Sequence, residues 1–200
     1  MLFLLEFYLL FGLGDFVGRV RGATIVPPLW FEIGLPFWPA FSLLYFSLYP
    51  LMWLSGYYYR TKAELQMVFA VFSCELALAT IVFVTFPTLV LAPEVHSIAV
   101  QGVDGLALSA YRYADLLNLD YNALPSLHVA FAFTARDLCA KRAAARVRYA
   151  LTLWALLIAL STLFTHQHRL LDVWAGLALA WVVSFLTDAK MVRLISRMCA

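Results

Sequence analysis

Charge is scarce in this chain, and that scarcity excludes more than any single residue does. Only 13% of the 200 residues are Asp, Glu, Lys or Arg, while 64% are apolar and the mean hydropathy is +0.85. A soluble domain carries about 25% charged residues, so the composition points to a bilayer. Cysteine is sparse as well. Cys74, Cys139 and Cys199 form neither a CxxC pair nor Cys/His metal spacing, which leaves free thiols rather than a disulfide framework. No basic tract with interleaved aromatics occurs, so no nucleic-acid partner is expected. Segment 1–14 lacks a basic leader and a small-residue cleavage site, and is expected to be retained. There is no internal repeat and no low-complexity tract.

What is present is a series of long apolar runs. At about 20 residues per crossing, they predict an all-α polytopic membrane bundle of five to six transmembrane helices, with one domain occupying 1–200. Five spans are expected at 39–58, 63–84 with an extension toward 91, 124–138, 149–163 and 171–187. Segment 1–20, interrupted by Glu6, Asp15, Gly12, Gly14 and Gly18, is read as a sixth. Between it and the first clear span, Pro27, Pro28, Pro36 and Pro39 alternate with Trp30, Phe31, Phe37 and Trp38, which reads as an interfacial aromatic belt.

The few charges are unevenly placed. If the five clear spans alternate, Arg60, Lys62, Lys141, Arg142, Arg146, Arg148, Lys190, Arg193 and Arg197 fall on one side, the expected cytoplasmic side. Connections 93–122 and 166–172 fall on the other, with Arg112 and Arg169 among several acids. Arg19 and Arg21 run against this scheme.

Two strings at the non-cytoplasmic ends carry the chemistry: Pro125-Ser126-Leu127-His128, and the stretch from Ser161 through His166 and His168 to Asp172. Each is expected at the first turn of a helix, where exposed amides and the helix dipole favour an anion. His168 and Asp172 are spaced i, i+4, so the carboxylate can orient the imidazole as a nucleophile toward phosphorus. His128 is the candidate acid for the leaving oxygen. Ser126, Ser161, Arg112 and Arg169 are the candidate phosphate-binding residues. His166, out of helical register with Asp172, reads as a polar neighbour, and His96 as a loop residue. A metal site built from His128, His166, His168 and Asp172 is an alternative by ligand type.

These residues resemble the type-2 phosphatidic acid phosphatase superfamily, whose later motifs read Pro-Ser-Gly-His and Ser-Arg, five residues, His, three residues, Asp. Pro125, Ser126 and His128, then Ser161, His168 and Asp172, keep both internal spacings. Leu127 in the glycine position, with Thr165 and Gly176 flanking the second motif, is most similar to the inositol phosphorylceramide synthase and inositol phosphotransferase branch. The resemblance implies a six-helix core, a metal-independent mechanism without cofactors, His168 as nucleophile, Asp172 as its orienter and His128 as proton donor. The first-motif cations have no copy around 86–94, and Thr162 replaces the arginine of the third motif.

The expected activity is transfer of a phosphoryl or phospho-headgroup unit from a lipid phosphate held in the bilayer. Water as acceptor makes a phosphatase, and a polyol such as inositol makes a transferase. The alternative is a catalytically degenerate family member acting as a lipid-phosphate-binding scaffold or transport component.

Overall fold

The computed structural model describes residues 2–90 and 105–187. Segment 1–20 is one continuous helix, α1 (Leu2–Arg21). Its Phe3 and Phe11 pack edge-on against Phe69 and Phe83 of α4 (Lys62–Thr85), with ring centroids 5.6 and 5.9 Å apart. The acids that interrupt its apolar pattern are hydrogen-bonded: Glu6 accepts from Ser73 Oγ at 2.6 Å, and Asp15 from the Tyr121 amide at 3.3 Å. Gly18 permits the close approach of the Tyr121 side chain, since a Cβ there would lie 2.5 Å from that of Tyr121.

The span expected at 39–58 is divided. A 3-10 turn at Pro39–Phe41 leads into α2 (Ser42–Phe46), and α3 (Leu48–Tyr58) follows a break at Ser47, whose hydroxyl donates to the Leu44 carbonyl. α4 opens on a capping box in which Thr61 and Glu64 satisfy one another's backbone amides. It does not extend toward 91. Pro87 cannot continue a helix, and the chain turns into β2 (Thr88–Leu89), which pairs in parallel with β1 (Thr24–Ile25). Within the expected 93–122 connection lies an amphipathic helix, α5 (Leu106–Leu117), which buries Leu108, Tyr111 and Ala114 and packs on α2 and the Pro39–Phe41 turn.

Three helices then build the site: α6 (Leu127–Ala140), α7 (Ala145–Phe164) and α8 (Leu170–Thr187). α6 is central. Ten of its 14 residues are buried, several of them alanines that let α3, α7 and α8 approach closely. Among the described residues, α4, α7 and α8 are long and apolar enough to cross a membrane singly. α6 is shorter, about 21 Å by helical rise, and α1 carries Glu6, Asp15, Arg19 and Arg21 along its length.

The chain therefore has two polar ends. At one, the C-termini of α1, α4 and α7 meet the N-termini of α2, α6 and α8: Thr24 N donates to Pro87 O, Trp38 N to Phe164 O and Ser126 N to Asp172 O. At the other, Arg142 reaches the Tyr58 carbonyl and Glu64. Arg60, Lys62, Lys141, Arg142, Arg146 and Arg148 all belong to this second end. Lys190, Arg193, Arg197, His96 and Cys199 lie outside the described residues. Arg19 and Arg21 sit at the first end, paired with Asp15 and the Val84 carbonyl.

Candidate active site

Both histidine strings lie at the same end of the bundle and are joined through backbone. Ser126 N donates to Asp172 O at 3.1 Å, stitching the start of α6 to the first turn of α8. The junction requires Gly176. A Cβ at that position would stand 2.6 Å from the Ser126 carbonyl and 3.1 Å from Val129 Cβ, so any larger residue would push α8 away from His128.

His168 Nδ1 stands 3.6 Å from Asp172 Oδ2, with the carboxylate fully buried and the histidine 7% exposed. This is an ion-pair separation slightly longer than a hydrogen bond. The same Oδ2 accepts the Arg169 amide at 2.7 Å, so Asp172 also caps its own helix. His128 lies on the first turn of α6, its ring stacked on Tyr45 with centroids 3.7 Å apart and planes inclined by 21°. The two imidazoles are close enough to interact electrostatically. Tyr45 OH in turn donates to Asn118 Oδ1 at 3.1 Å, and Asn118 donates to Gln167, next to His168.

The remaining expected residues divide. Ser126 caps α6, its hydroxyl accepting from Val129 N at 3.4 Å, while Pro125 stands just before the helix rather than in its first turn. Ser161 is buried, but its hydroxyl donates to Ile158 O at 2.6 Å, within its own helix. Arg169 is buried beside Asp172. Arg112 is on the exposed side of α5, flanked by buried Tyr111, and among the described contacts none brings it to the histidines.

His166 terminates α7. Its φ is +54°, in the left-handed region usually occupied by glycine, and its amide donates to Leu163 O while Gln167 N donates to Thr162 O. That pair of bonds is a Schellman ending, and it turns the chain so that His168 comes back over the bundle. The His166 Nε2 lies 3.3 Å from Leu35 O, and its ring packs near Phe37 at 5.5 Å. Burial holds its pKa below the ordinary value and the Arg169 charge acts in the same direction, while the Leu35 carbonyl opposes them.

The segment read as an aromatic belt is thus a strap along the α7–α8 turn. Trp38 N bonds to Phe164 O at 2.9 Å, and the Trp38 and Phe164 rings stack at 4.8 Å. Glu32 was not anticipated. It is 3% exposed and accepts the Leu170 amide at 2.6 Å, at the start of α8. The available signal was that Glu32 is the sole charged residue between Arg21 and Arg60.

Among the described residues no group of three or more His, Cys, Asp and Glu side chains is arranged to hold a metal ion. No curated protein and no solved structure gives a significant match to the chain. The family model of the PAP2 superfamily matches residues 35–186, from within the strap to the last turn of α8 and including both histidine strings. The chain belongs to the PAP2 superfamily, whose members are generally phosphatases or phosphotransferases.

Proposed function

We propose that this protein is a membrane enzyme that transfers a phosphoryl or phospho-headgroup unit from a lipid through a phosphohistidine at His168. The observation that carries the reading is a set of buried polar atoms without a partner among the described residues: His128 Nε2, His168 Nδ1 and Asp172 Oδ1. Leaving such atoms unmatched costs about 1–3 kcal/mol each, a cost that persists where a ligand completes the site. A small ring movement closes the 3.6 Å gap between His168 and Asp172, and a phosphate oxygen accepts from His128 Nε2–H.

In the reaction, Asp172 holds Nδ1–H of His168 and directs Nε2 at phosphorus. The N–P bond forms as the P–O bond to the lipid alcohol breaks, and His128 gives its proton to the departing oxygen. Water then attacks phosphorus, His128 takes its proton, the N–P bond breaks and phosphate leaves. A polyol in place of water yields a new phosphate ester from the same intermediate. Arg169 and the Leu127 and His128 amides of the first turn of α6 carry the developing negative charge. Leu127 in the glycine position favours the inositol-transferring branch. The basic residues at the opposite end, Arg60, Lys62, Arg136, Lys141, Arg142, Arg146 and Arg148, favour a site on the non-cytoplasmic face, with acyl chains entering sideways between helices.

A second reading is a lipid-phosphate-binding scaffold. It is favoured by the exposed position of Arg112 and by the Ser161 hydroxyl, already committed to Ile158 O. Purified protein incubated with labelled phosphatidic acid or phosphatidylinositol, with and without free inositol, decides between them. Release of phosphate or a new headgroup-bearing lipid, abolished by His168→Ala, supports the enzyme. Lipid binding without either product supports the scaffold.

A further inference from the structure

We propose that Glu32 is a positioning residue for His168 and Asp172, and that it directs phosphate to α6 by occupying the N-terminus of α8. The inference rests on the phosphoryl-transfer reading for its consequence and on geometry for its substance. Glu32 lies in the strap, 138 residues from the amide it holds. One carboxylate oxygen accepts Leu170 N at 2.6 Å and the other accepts Leu29 N at 2.6 Å, so the side chain ties the strap to the first residue of α8.

A strap needs no charge to lie across a bundle. Burying a carboxylate is costly unless strong donors meet it, and here it faces the positive end of a helix dipole, where negative charge is stabilised. That end is also an anion site in waiting. With Leu170 N taken by Glu32, Arg169 N by Asp172 Oδ2 and Asp172 N by Arg169 O, the α8 end offers little to a substrate phosphate. At α6, Ser126 N is held by Asp172 O and Val129 N by Ser126 Oγ, which leaves the amides of Leu127 and of His128 itself. Phosphate is thus steered to lie between the two imidazoles rather than over the start of α8. Because His168 precedes Leu170 by two residues and Asp172 follows it by two, the same bond sets the height of both side chains.

The test uses the full chain in detergent micelles, comparing wild type with Glu32→Ala and Glu32→Gln. Amide hydrogen exchange over 165–176 reads the clamp without reference to activity. Glu32→Ala is expected to raise exchange there selectively, with the rest of α8 protected, and Glu32→Gln, which keeps an acceptor for Leu170 N, much less. With dioctanoyl phosphatidic acid as substrate, Glu32→Ala is expected to lower kcat about 100-fold, while inorganic phosphate inhibits as well as or better than in wild type, because a second amide edge has opened. Glu32→Gln should recover kcat to within about tenfold. Unchanged exchange in Glu32→Ala overturns the clamp. Raised exchange with unchanged kcat, or phosphate inhibition weakened as much as kcat, overturns the positioning and steering role. A wild-type protein with no turnover on any phosphate ester refutes the phosphoryl-transfer reading, and the exchange data still decide the clamp.

Discussion

The two polar ends of the bundle handle charge in opposite ways. At the basic end, charges are matched in pairs and partly exposed. Arg142 lies 2.5 Å from Glu64 and 4.1 Å from the centre of the Tyr59 ring, and Arg136 lies 2.6 Å from Asp137. At the histidine end, Asp172, Glu32, His168 and Arg169 are buried, and His128 Nε2, His168 Nδ1 and Asp172 Oδ1 have no hydrogen-bond partner among the described residues. Exposed pairs are screened and contribute little, whereas buried unmatched groups are costly. The difference separates charge that orients a membrane protein from charge held ready for a ligand.

If that contrast is right, substitutions at the histidine end abolish turnover without melting the fold. His168→Ala should lower kcat at least about 10³-fold, with the helical circular dichroism unchanged. Asp172→Asn keeps the shape but no longer stabilises a charged imidazole, and should fall in the same range. Activity within tenfold of wild type in either variant would remove His168 from the nucleophile position.

Gly176→Ala probes the contact that brings the motifs together. The added methyl meets the Ser126 carbonyl at 2.6 Å, backbone against side chain, so one helix has to move. The expected loss is about 1–3 kcal/mol of stability, together with a fall in kcat larger than that of Gly12→Ala, where nothing lies within 4 Å. Thermal melting and turnover, measured on both variants, check the pair.

Much of the histidine end was legible because its logic is local. The i, i+4 spacing of His168 and Asp172 and the apolar runs that follow are short-range features that survive any tertiary arrangement, whereas Ser126, read as a phosphate ligand, caps α6. What was not legible depends on distance. Glu32 acts on an amide 138 residues away, and its proline and tryptophan neighbours give the same signal in a strap as in an aromatic belt. The break at Ser47 and the end of α4 before Pro87 reflect local backbone bonds inside an apolar stretch whose composition reads as continuous. Ser161 was assigned by motif position, yet a helical serine commonly returns its hydroxyl to its own backbone, as it does here. The two histidines of one string parted for a similar reason. The left-handed turn at His166 sends its ring to the strap and leaves His168 over the site.

His166 gives a smaller, pH-dependent effect. Its folded pKa lies below the usual 6.5, mainly through burial. The folded state therefore binds fewer protons than the unfolded one, and stability is lost as pH falls below about 6.5. The groups facing the ring are the Leu35 carbonyl, the Phe37 ring and the Arg169 cation. His166→Asn tolerates the left-handed backbone, keeps a donor for Leu35 and does not titrate. Between pH 7.5 and 5.5 its melting temperature should fall less than that of wild type, and equal falls would mean that His166 does not couple the strap to pH.

The smallest effect belongs to the basic end, where Arg142→Gln breaks the pair with Glu64. Among the described contacts the pair joins no buried network reaching the histidines, and its side chains are 41% and 29% exposed. Solvent and salt already screen most of the attraction. Turnover should stay within about twofold of wild type and the melting temperature should shift by no more than about 2–4 °C, with the gap narrowing at high salt. A loss of activity comparable to that of Gly176→Ala would mean that the two ends are mechanically coupled through α6, the helix that begins at the first and finishes at the second, and that the division between orienting charge and reacting charge does not hold.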